Sequence, residues 1–449
     1  MNFKTIIQLL QPPAATLVLY GLYRVAKLIY AEFTSPIRHL PGPKNTNLII
    51  GNCKDVLKEG TENWPSQYGR MIRFGGPLGL SQLYVADIKA VNHISMNSYN
   101  YPKPHLLRHH GSRLIGSGLL IVEGDEHKQQ RKILNPAFGP ARIRELTEIF
   151  VDKSKQLRDI WVAECSKQGG TGRIDAYPGL CKVTLDVISL AGFHYELDAL
   201  LNRRNELNDA AAILTQMDLG RWIVRAIVPM LRMIPDRVDA QMHELQRTLS
   251  SVTSKLLAES KVYATATNEK GKGRDLLSVL VQSNMANDIP DNQRLSDDQV
   301  KAQVATFLIA GHETTSVGTL WTLFSLAQEP KMQAKLRDEL LTVDTDNPTM
   351  DQLNALPYLD IVVRETMRLH PPITASLRAS ESDDVLPLSA PIVDRNGKVL
   401  DSVRIKKGQM IIVPIAAINR DKSIWGEDAY EFRRVFAIDC PPYHPLLFS

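Results

Sequence analysis

Val304-Ala305-Thr306-Phe307-Leu308-Ile309-Ala310-Gly311-His312-Glu313-Thr314-Thr315 is the stretch whose reading decides the fold. It lies in a helical pattern that opens at Ser296-Asp297-Asp298-Gln299, a capping-box start, and runs to Glu329, where Pro330 begins the next helix. That is far longer than the average helix of about 11–12 residues. Val304 to Ile309 is apolar on all sides, as a helix crossing a core must be. Into this core fall residues that cost stability there. Gly311 costs roughly 1 kcal/mol against alanine, and threonine hydroxyls bond back to the helix backbone and bend it. The helix is therefore expected to open locally, as π-bulges do at functional sites. Two readings fit. Small side chains leave room for a flat ligand or a diatomic molecule, with Glu313 and Thr314 as a proton relay; or they serve a helix–helix crossing that needs small residues.

Outward from this helix, Asp87 to about Leu340 is mostly helical in period, with a Lys/Gly/Asn-rich surface loop near 268–273. Short strands are expected at Met71–Phe74 and Ser81–Val85, around a Gly/Pro turn. Others come late, at Ile392–Val393, Val399–Ile405 and Met410–Val413, with Asn396-Gly397 as a hairpin turn. The fold class is mainly α with a small β-sheet region. No linker or repeat divides the 449 residues. This gives an anchor and linker over 1–35, joined through a rigid Leu40-Pro41-Gly42-Pro43 hinge segment to one large domain over 36–433, and a divergent tail over 434–449.

The apolar content of 44% is that of a globular protein, and the net charge of +4 is too mild to argue for nucleic acid. Four cysteines, Cys53, Cys165, Cys181 and Cys440, form no CxxC pair or disulfide framework, which fits a domain facing a reducing compartment. Ala14 to Tyr23 is nearly all apolar, Pro12-Pro13 can open a helix there, and Arg24, Lys27, Arg38 and Lys44 follow it. It is short of the roughly 20 residues of a full span. It reads as a membrane anchor with the main domain cytosolic, or as an amphipathic helix lying on the membrane.

Two further constellations carry chemistry. Glu365-Thr366-Met367-Arg368 lies in a helix opened by Pro357 and stopped by Pro371-Pro372. Glu365 and Arg368, at i,i+3, can pair, although most such pairs are solvated and contribute little. Gly124-Asp125-Glu126-His127-Lys128-Gln129-Gln130-Arg131 puts His127 and Arg131 on one helix face. There they either grip an anion, arginine binding carboxylate through two bonds, or form a solvated basic face.

In this order and spacing the three constellations resemble the cytochrome P450 family, in a fungal, microsomal form. The likeness covers roughly Pro36 to Arg433, including Leu369-His370-Pro371-Pro372 and Asn419-Arg420-Asp421 through Trp425-Gly426-Glu427-Asp428-Ala429. It implies haem b as cofactor, with Ala310 and Gly311 beside it. Arg131 and Arg378 match arginines that bind its propionates; His127 stands where the family usually has Trp. Glu313 and Thr314 match the acid–hydroxyl pair of proton delivery, and Glu365 and Arg368 a buried structural pair. Leu114, Ile115, Phe307, Ile373 and Thr374 fall at substrate-pocket positions. The resemblance further implies electrons from NADPH through a membrane-bound NADPH–cytochrome reductase, an endoplasmic reticulum location, and insertion of one O2-derived oxygen atom into a hydrophobic small molecule, in fungal secondary metabolism such as that of terpenoids.

One departure stands out. After Glu431-Phe432-Arg433 the family continues with a Pro-Glu-Arg-aromatic turn and then Phe-x-x-Gly-x-Arg-x-Cys-x-Gly, whose thiolate binds the haem iron. Here the residues are Arg434-Val435-Phe436-Ala437-Ile438-Asp439-Cys440-Pro441-Pro442, ending at Ser449. Cys440 lacks the preceding Gly and Arg and comes too soon, so no metal ligand is assigned. The expectation is a fold incomplete at its C-terminus, with a non-catalytic product unable to ligate haem iron as the alternative to an active monooxygenase. An unrelated helical membrane-associated binding protein is the remaining reading.

Overall fold

The computed structural model describes residues 19–21, 23, 26–47, 51, 52, 55, 63–202, 237–266, 276–285 and 294–432. The expected 268–273 loop, Cys53, most of the Ala14–Tyr23 run and the 434–449 tail with Cys440 lie outside them. The chain forms two compact units from interleaved segments: one takes the chain up to Pro102 and Ala375–Ala417, the other Lys103–Thr374 and the chain from Ile418.

The first unit is the β-rich one. Strands β1 (Met71–Gly75) and β2 (Ser81–Val85) are antiparallel, with Met71 opposite Val85. The four-stranded sheet runs β1-β2-β6-β3, where β3 is Ser376–Ala379 and β6 is Met410–Val413. β2 and β6 pair in parallel, and Arg378 on β3 stands opposite Ile411. The hairpin of β4 (Asp384–Val393) and β5 (Val399–Ile405) forms the second sheet. Its turn is longer than a two-residue loop. Asp394 N–H donates to the Lys398 carbonyl at 2.9 Å, and Gly397 takes φ +80° inside. Helix α1 (Ile88–Met96) is tied to β4 through its N-cap Asp87, which accepts from Ala90 N and from Ser389 N.

The Leu40–Pro43 segment is docked on β1, not left as a hinge. Arg73 N–H donates to the Pro41 carbonyl at 2.9 Å, Leu40 is buried, and a Cβ on Gly42 would sit 1.9 Å from the Arg73 carbonyl oxygen. Upstream, Glu32 closes the helical turn over 26–33. Its carboxylate accepts from Ser81 N at 2.8 Å, from Ser81 Oγ, and from Arg73 Nη2 at 3.0 Å. Burial pushes this carboxyl up, but those bonds outweigh it and hold the group below its ordinary range. Among the described residues no helix is long and apolar enough to cross a membrane.

The second unit is helical: α2 (His105–Ile115), α3 (Gly124–Leu134), α4 (Pro140–Lys167), α5 (Ala176–Phe193), α6 (Arg237–Ala266), α7 (Leu276–Met285), α8 (Asp297–Gln328), α9 (Pro330–Leu340) and α10 (Pro357–Leu369). The expected capping box starts α8: Gln299 N–H donates to Ser296 Oγ, and Ser296 N–H to Gln299 Oε1. The core is built around the N-terminal half of α8, where Val300, Val304, Ala305 and Leu308 pack with residues of α5, α6 and α7.

The expected local opening of α8 does not occur; the helix is α throughout. Its threonines bond backward, Thr306 Oγ1 to the Ala302 carbonyl at 2.7 Å and Thr314 Oγ1 to the Ala310 carbonyl at 2.6 Å. No i→i−4 backbone bond has to be given up for this.

Candidate active site

The α8 hexamer divides between two faces. Gly311 turns toward α5: a Cβ there would lie 3.0 Å from Ile188 Cδ1 and Cγ1. His312 is buried on that side, its carbonyl accepting from Thr184 Oγ1 at 3.1 Å, and burial lowers its imidazole pKa. The crossing of α5 and α8 thus uses the small residue directly. Phe307 packs on Phe138, with ring centroids 5.3 Å apart. A cavity of about 970 Å3 opens between α4, α5 and this side of α8, lined among others by Phe138, Leu157, Val183, Ile188, Thr315 and Leu323.

Ala310 and Thr314 belong to a different stripe. At 3.6 residues per turn, positions 303, 310, 314 and 321 fall nearly in line. Ala310 is exposed and Thr314 half-buried. At the far end of the stripe Trp321 stacks on His370, centroids 4.0 Å apart and planes 3° from parallel. Burial, then Arg420 and Arg368 nearby, push the His370 pKa down to about 4. Glu313 is exposed and faces Tyr177, whose phenol is raised to about 12 by burial, by Cys181 and by the Glu313 charge. Among the described residues no hydrogen bond joins Glu313 to Thr314. They are neighbours on the helix that offer a carboxylate and a hydroxyl to two adjacent faces.

On α3, His127 is half-buried and Arg131 exposed. The Arg131 side chain makes no hydrogen bond or ion pair with the described residues. The helix start is fixed by Glu123, which takes Lys103 N at 2.9 Å and Lys103 Nζ at 3.0 Å. Burial, with Lys103 and Arg131 adding to it against Glu123, lowers the His127 pKa. The imidazole is therefore neutral near pH 7 and has one N–H to donate. Together they form a hydrogen-bond donor and an unpaired guanidinium on one face.

Leu114, Ile115 and Phe307 join the same core cluster, while Ile373 and Thr374 stand exposed just after α10. Arg378 belongs to the other unit, where its Nη1 donates to the Leu377 carbonyl at 2.8 Å. Glu365 and Arg368 are almost wholly buried, with side chains 1% and 2% exposed. Two bonds of 2.9 and 2.8 Å join them. Arg368 also donates to the carbonyls of Asn419, Ala429 and Glu431. This arginine ties α10 to the turns after Ile418 and touches no open surface.

Sequence reasoning missed Trp321, His370, Gln130 and Gln303. Gln303 carried a signal, a lone amide beside the apolar run of a core helix. Gln130 carried none, since it stands in a polar run.

The family model for cytochrome P450 matches residues 67–434. The chain belongs to the cytochrome P450 family. The chain is 46% identical to cytochrome P450 monooxygenase 205 of Postia placenta over 92% of this chain and 79% of that protein. It is 44% identical to monooxygenase 128 of the same fungus, over 93% and 80%. A ganoderic acid synthetase of Ganoderma lucidum is 29% identical over 94% and 83%. The mostly helical architecture with small sheets is that of a cytochrome P450.

The family implies haem, and the described residues fit part of it. The unpaired Arg131 guanidinium with the His127 N–H suits a propionate, and the exposed Ala310–Thr314 stripe suits a flat face. The iron ligand is not among the described residues: Cys165 and Cys181 sit on α4 and α5, Cys181 Sγ lying 3.6 Å from Ser316 Oγ.

Proposed function

We propose that the protein is a haem-dependent monooxygenase acting on a hydrophobic small molecule, with electrons from NADPH through a membrane-bound NADPH–cytochrome reductase. The observation that carries it is the pairing, within one unit, of the α3 donor face with the Ala310–Thr314 stripe of α8. His127 and Arg131 would hold a propionate of haem b. Bound haem would supply the oxygen chemistry, one atom entering substrate and the other leaving as water. The chain's own part is to bind, orient and move protons. Thr314 Oγ1 donates to the Ala310 carbonyl and keeps its lone pairs free to accept a hydrogen bond from water. Glu313, exposed, exchanges protons with solvent. Ile373 and Thr374 at the end of α10, with Leu114, Ile115 and Phe307, would border an apolar pocket. The ganoderic acid synthetase relative supports a lipophilic, terpenoid-like substrate.

Residues 434–449 contain no Phe-x-x-Gly-x-Arg-x-Cys-x-Gly. The second reading for these 449 residues is a chain that retains the porphyrin cradle without thiolate ligation, and so without turnover. Haemin titration followed at the Soret band tests the cradle. Arg131→Ala should weaken uptake about tenfold, the loss of one charged hydrogen bond. Unchanged uptake would refute the assignment.

The location proposed is the endoplasmic reticulum membrane, domain toward the cytosol. It is supported by exposed apolar side chains on the N-terminal helix, Leu19, Tyr20, Tyr23, Ile29, Tyr30 and Phe33, beside Lys27 and Arg38. Deleting residues 1–32 should move the protein to the soluble fraction. Full retention on membranes would refute the anchor.

A further inference from the structure

Two glutamines outside the proposed cradle are completely buried: Gln130 on α3 and Gln303 on α8, each 0% exposed. Burying an amide is costly unless every polar atom finds a partner, and here a directed chain of bonds, with a longer branch from Gln130 Nε2 to Glu126 Oε1 at 3.4 Å, satisfies them. Leu119 N–H donates to Gln303 Oε1 at 3.0 Å, Gln303 Nε2 donates to Gln130 Oε1 at 2.7 Å, and Gln130 Nε2 donates to the Ser117 carbonyl at 3.0 Å. The chain leaves the 117–119 loop at one end and returns to it two residues away. All its dipoles point one way, so each bond polarises the next. The loop lies directly on α8. A Cβ on Gly116, which has φ +77°, would come 2.8 Å from Ala302 Cβ, and one on Gly118 would come 2.2 Å from Thr306 Oγ1. Outside the core, Gln299 Nε2 adds a weaker rung to Glu126 Oε1 of α3 at 3.3 Å.

The placement of this network matters more than its strength. Gln303 stands on the same α8 stripe as Ala310 and Thr314, two turns or about 10.5 Å before Ala310. Gln130 precedes Arg131 by one residue and follows His127 by three. With Gln130 held inward, His127 and Arg131 are fixed about 60–100° around α3 from the contact. Rotating α3, or sliding it along α8, would break the amide chain.

We propose that Gln130 and Gln303 are positioning residues. They form an amide clasp that sets the rotation and register of the α3 carboxylate-binding pair against the Ala310–Thr314 face. This rests on the reading of His127 and Arg131 as a carboxylate site. The clasp touches no ligand and acts through Arg131.

The test uses the full chain and iron-free protoporphyrin IX, with its dimethyl ester as the uncharged control, both followed by porphyrin fluorescence. Wild-type protein should bind the diacid more tightly than the diester. Arg131→Ala should cut the preference about tenfold. Gln303→Met should cut it about fivefold and leave diester affinity unchanged. The double variant should lose no more than Arg131→Ala alone. Gln303→Glu keeps the acceptor for Leu119 N–H and should restore protection of that amide against hydrogen exchange, which Gln303→Met loses. If Gln303→Met does not fold, the same affinity comparison is made with Gln303→Glu, which should show a smaller cut in preference. Equal weakening of diacid and diester, or losses that add in the double variant, would overturn the clasp and leave the cradle standing. A wild type without diacid preference, or an Arg131→Ala without effect, would overturn the cradle and the clasp with it.

Discussion

Arg368 offers the sharpest test of how α10 is held. Its guanidinium makes five hydrogen bonds, two to Glu365 and one each to the carbonyls of Asn419, Ala429 and Glu431. The side chain is 2% exposed and that of Glu365 1%. Arg368→Met fills most of the volume but leaves a buried carboxylate without its counter-charge and three carbonyls without this donor. Stranding one member of a buried pair costs about 3–5 kcal/mol, and each orphaned carbonyl adds about 1 kcal/mol. The sum is about 6–8 kcal/mol, a large share of the stability of an ordinary domain. It should appear as a fall in Tm of about 10 °C or more. Arg368→Lys keeps the charge but cannot span five acceptors, and should lose about 2–3 kcal/mol. Glu365→Met combined with Arg368→Met should be less destabilised than Arg368→Met alone, because the stranded charge is gone. Urea unfolding followed by circular dichroism reads all three. An Arg368→Met protein within about 1 kcal/mol of wild type would refute the reasoning, as would a double variant worse than the single.

Gly311→Val should destabilise by about 2 kcal/mol or more through overpacking on Ile188, with partial rescue by Ile188→Ala; additive losses in the double variant, read by thermal unfolding, would count against the crossing. His370 has a folded pKa of about 4, below the unfolded value of about 6.5. The unfolded chain therefore binds the extra proton first, and stability is full above pH 6.5 and falls as pH drops toward 4. After a discount for solvent screening the loss is about 2 kcal/mol; His370→Gln should flatten that part of the urea-midpoint profile. In protein carrying the family's cysteine segment, Thr314→Ala should keep NADPH consumption while product falls and hydrogen peroxide rises. Among the described residues its hydroxyl bonds the Ala310 carbonyl, so unfolding should shift by less than about 1 kcal/mol.

Much of the helical unit was legible because its signals are local. The capping box at Ser296 and the Pro357 start of α10 each act within one turn. Strands β1, β2 and β5 were legible from β-rich runs between turn residues. β3 and most of β4 were not: β3 is four residues long and is fixed by pairing with Met410–Val413 more than thirty residues away, and β4 is interrupted by an irregularity between Pro387 and Ile392. The hexamer at Ala310–Thr315 was legible as an oddity, but not which of its residues faces what. Gly311 meets Ile188 and Ala310 does not, a difference set by where α5 crosses. Gln130 sits in a run of charged residues and reads as exposed. In the fold it is buried and bonded to Gln303, 173 positions away.

A carbon monoxide difference spectrum of the reduced, haem-loaded protein is the most direct test of the proposed haem cradle and of the expectation that residues 434–449 supply no thiolate to it. The 449-residue protein should be compared with one in which 434–449 are replaced by a segment carrying the family's Phe-x-x-Gly-x-Arg-x-Cys-x-Gly motif. A thiolate-type band is predicted only in the second protein. A thiolate-type band in the 449-residue protein that disappears on Cys440→Ser, or haem uptake without such a band in the extended protein, would contradict the account.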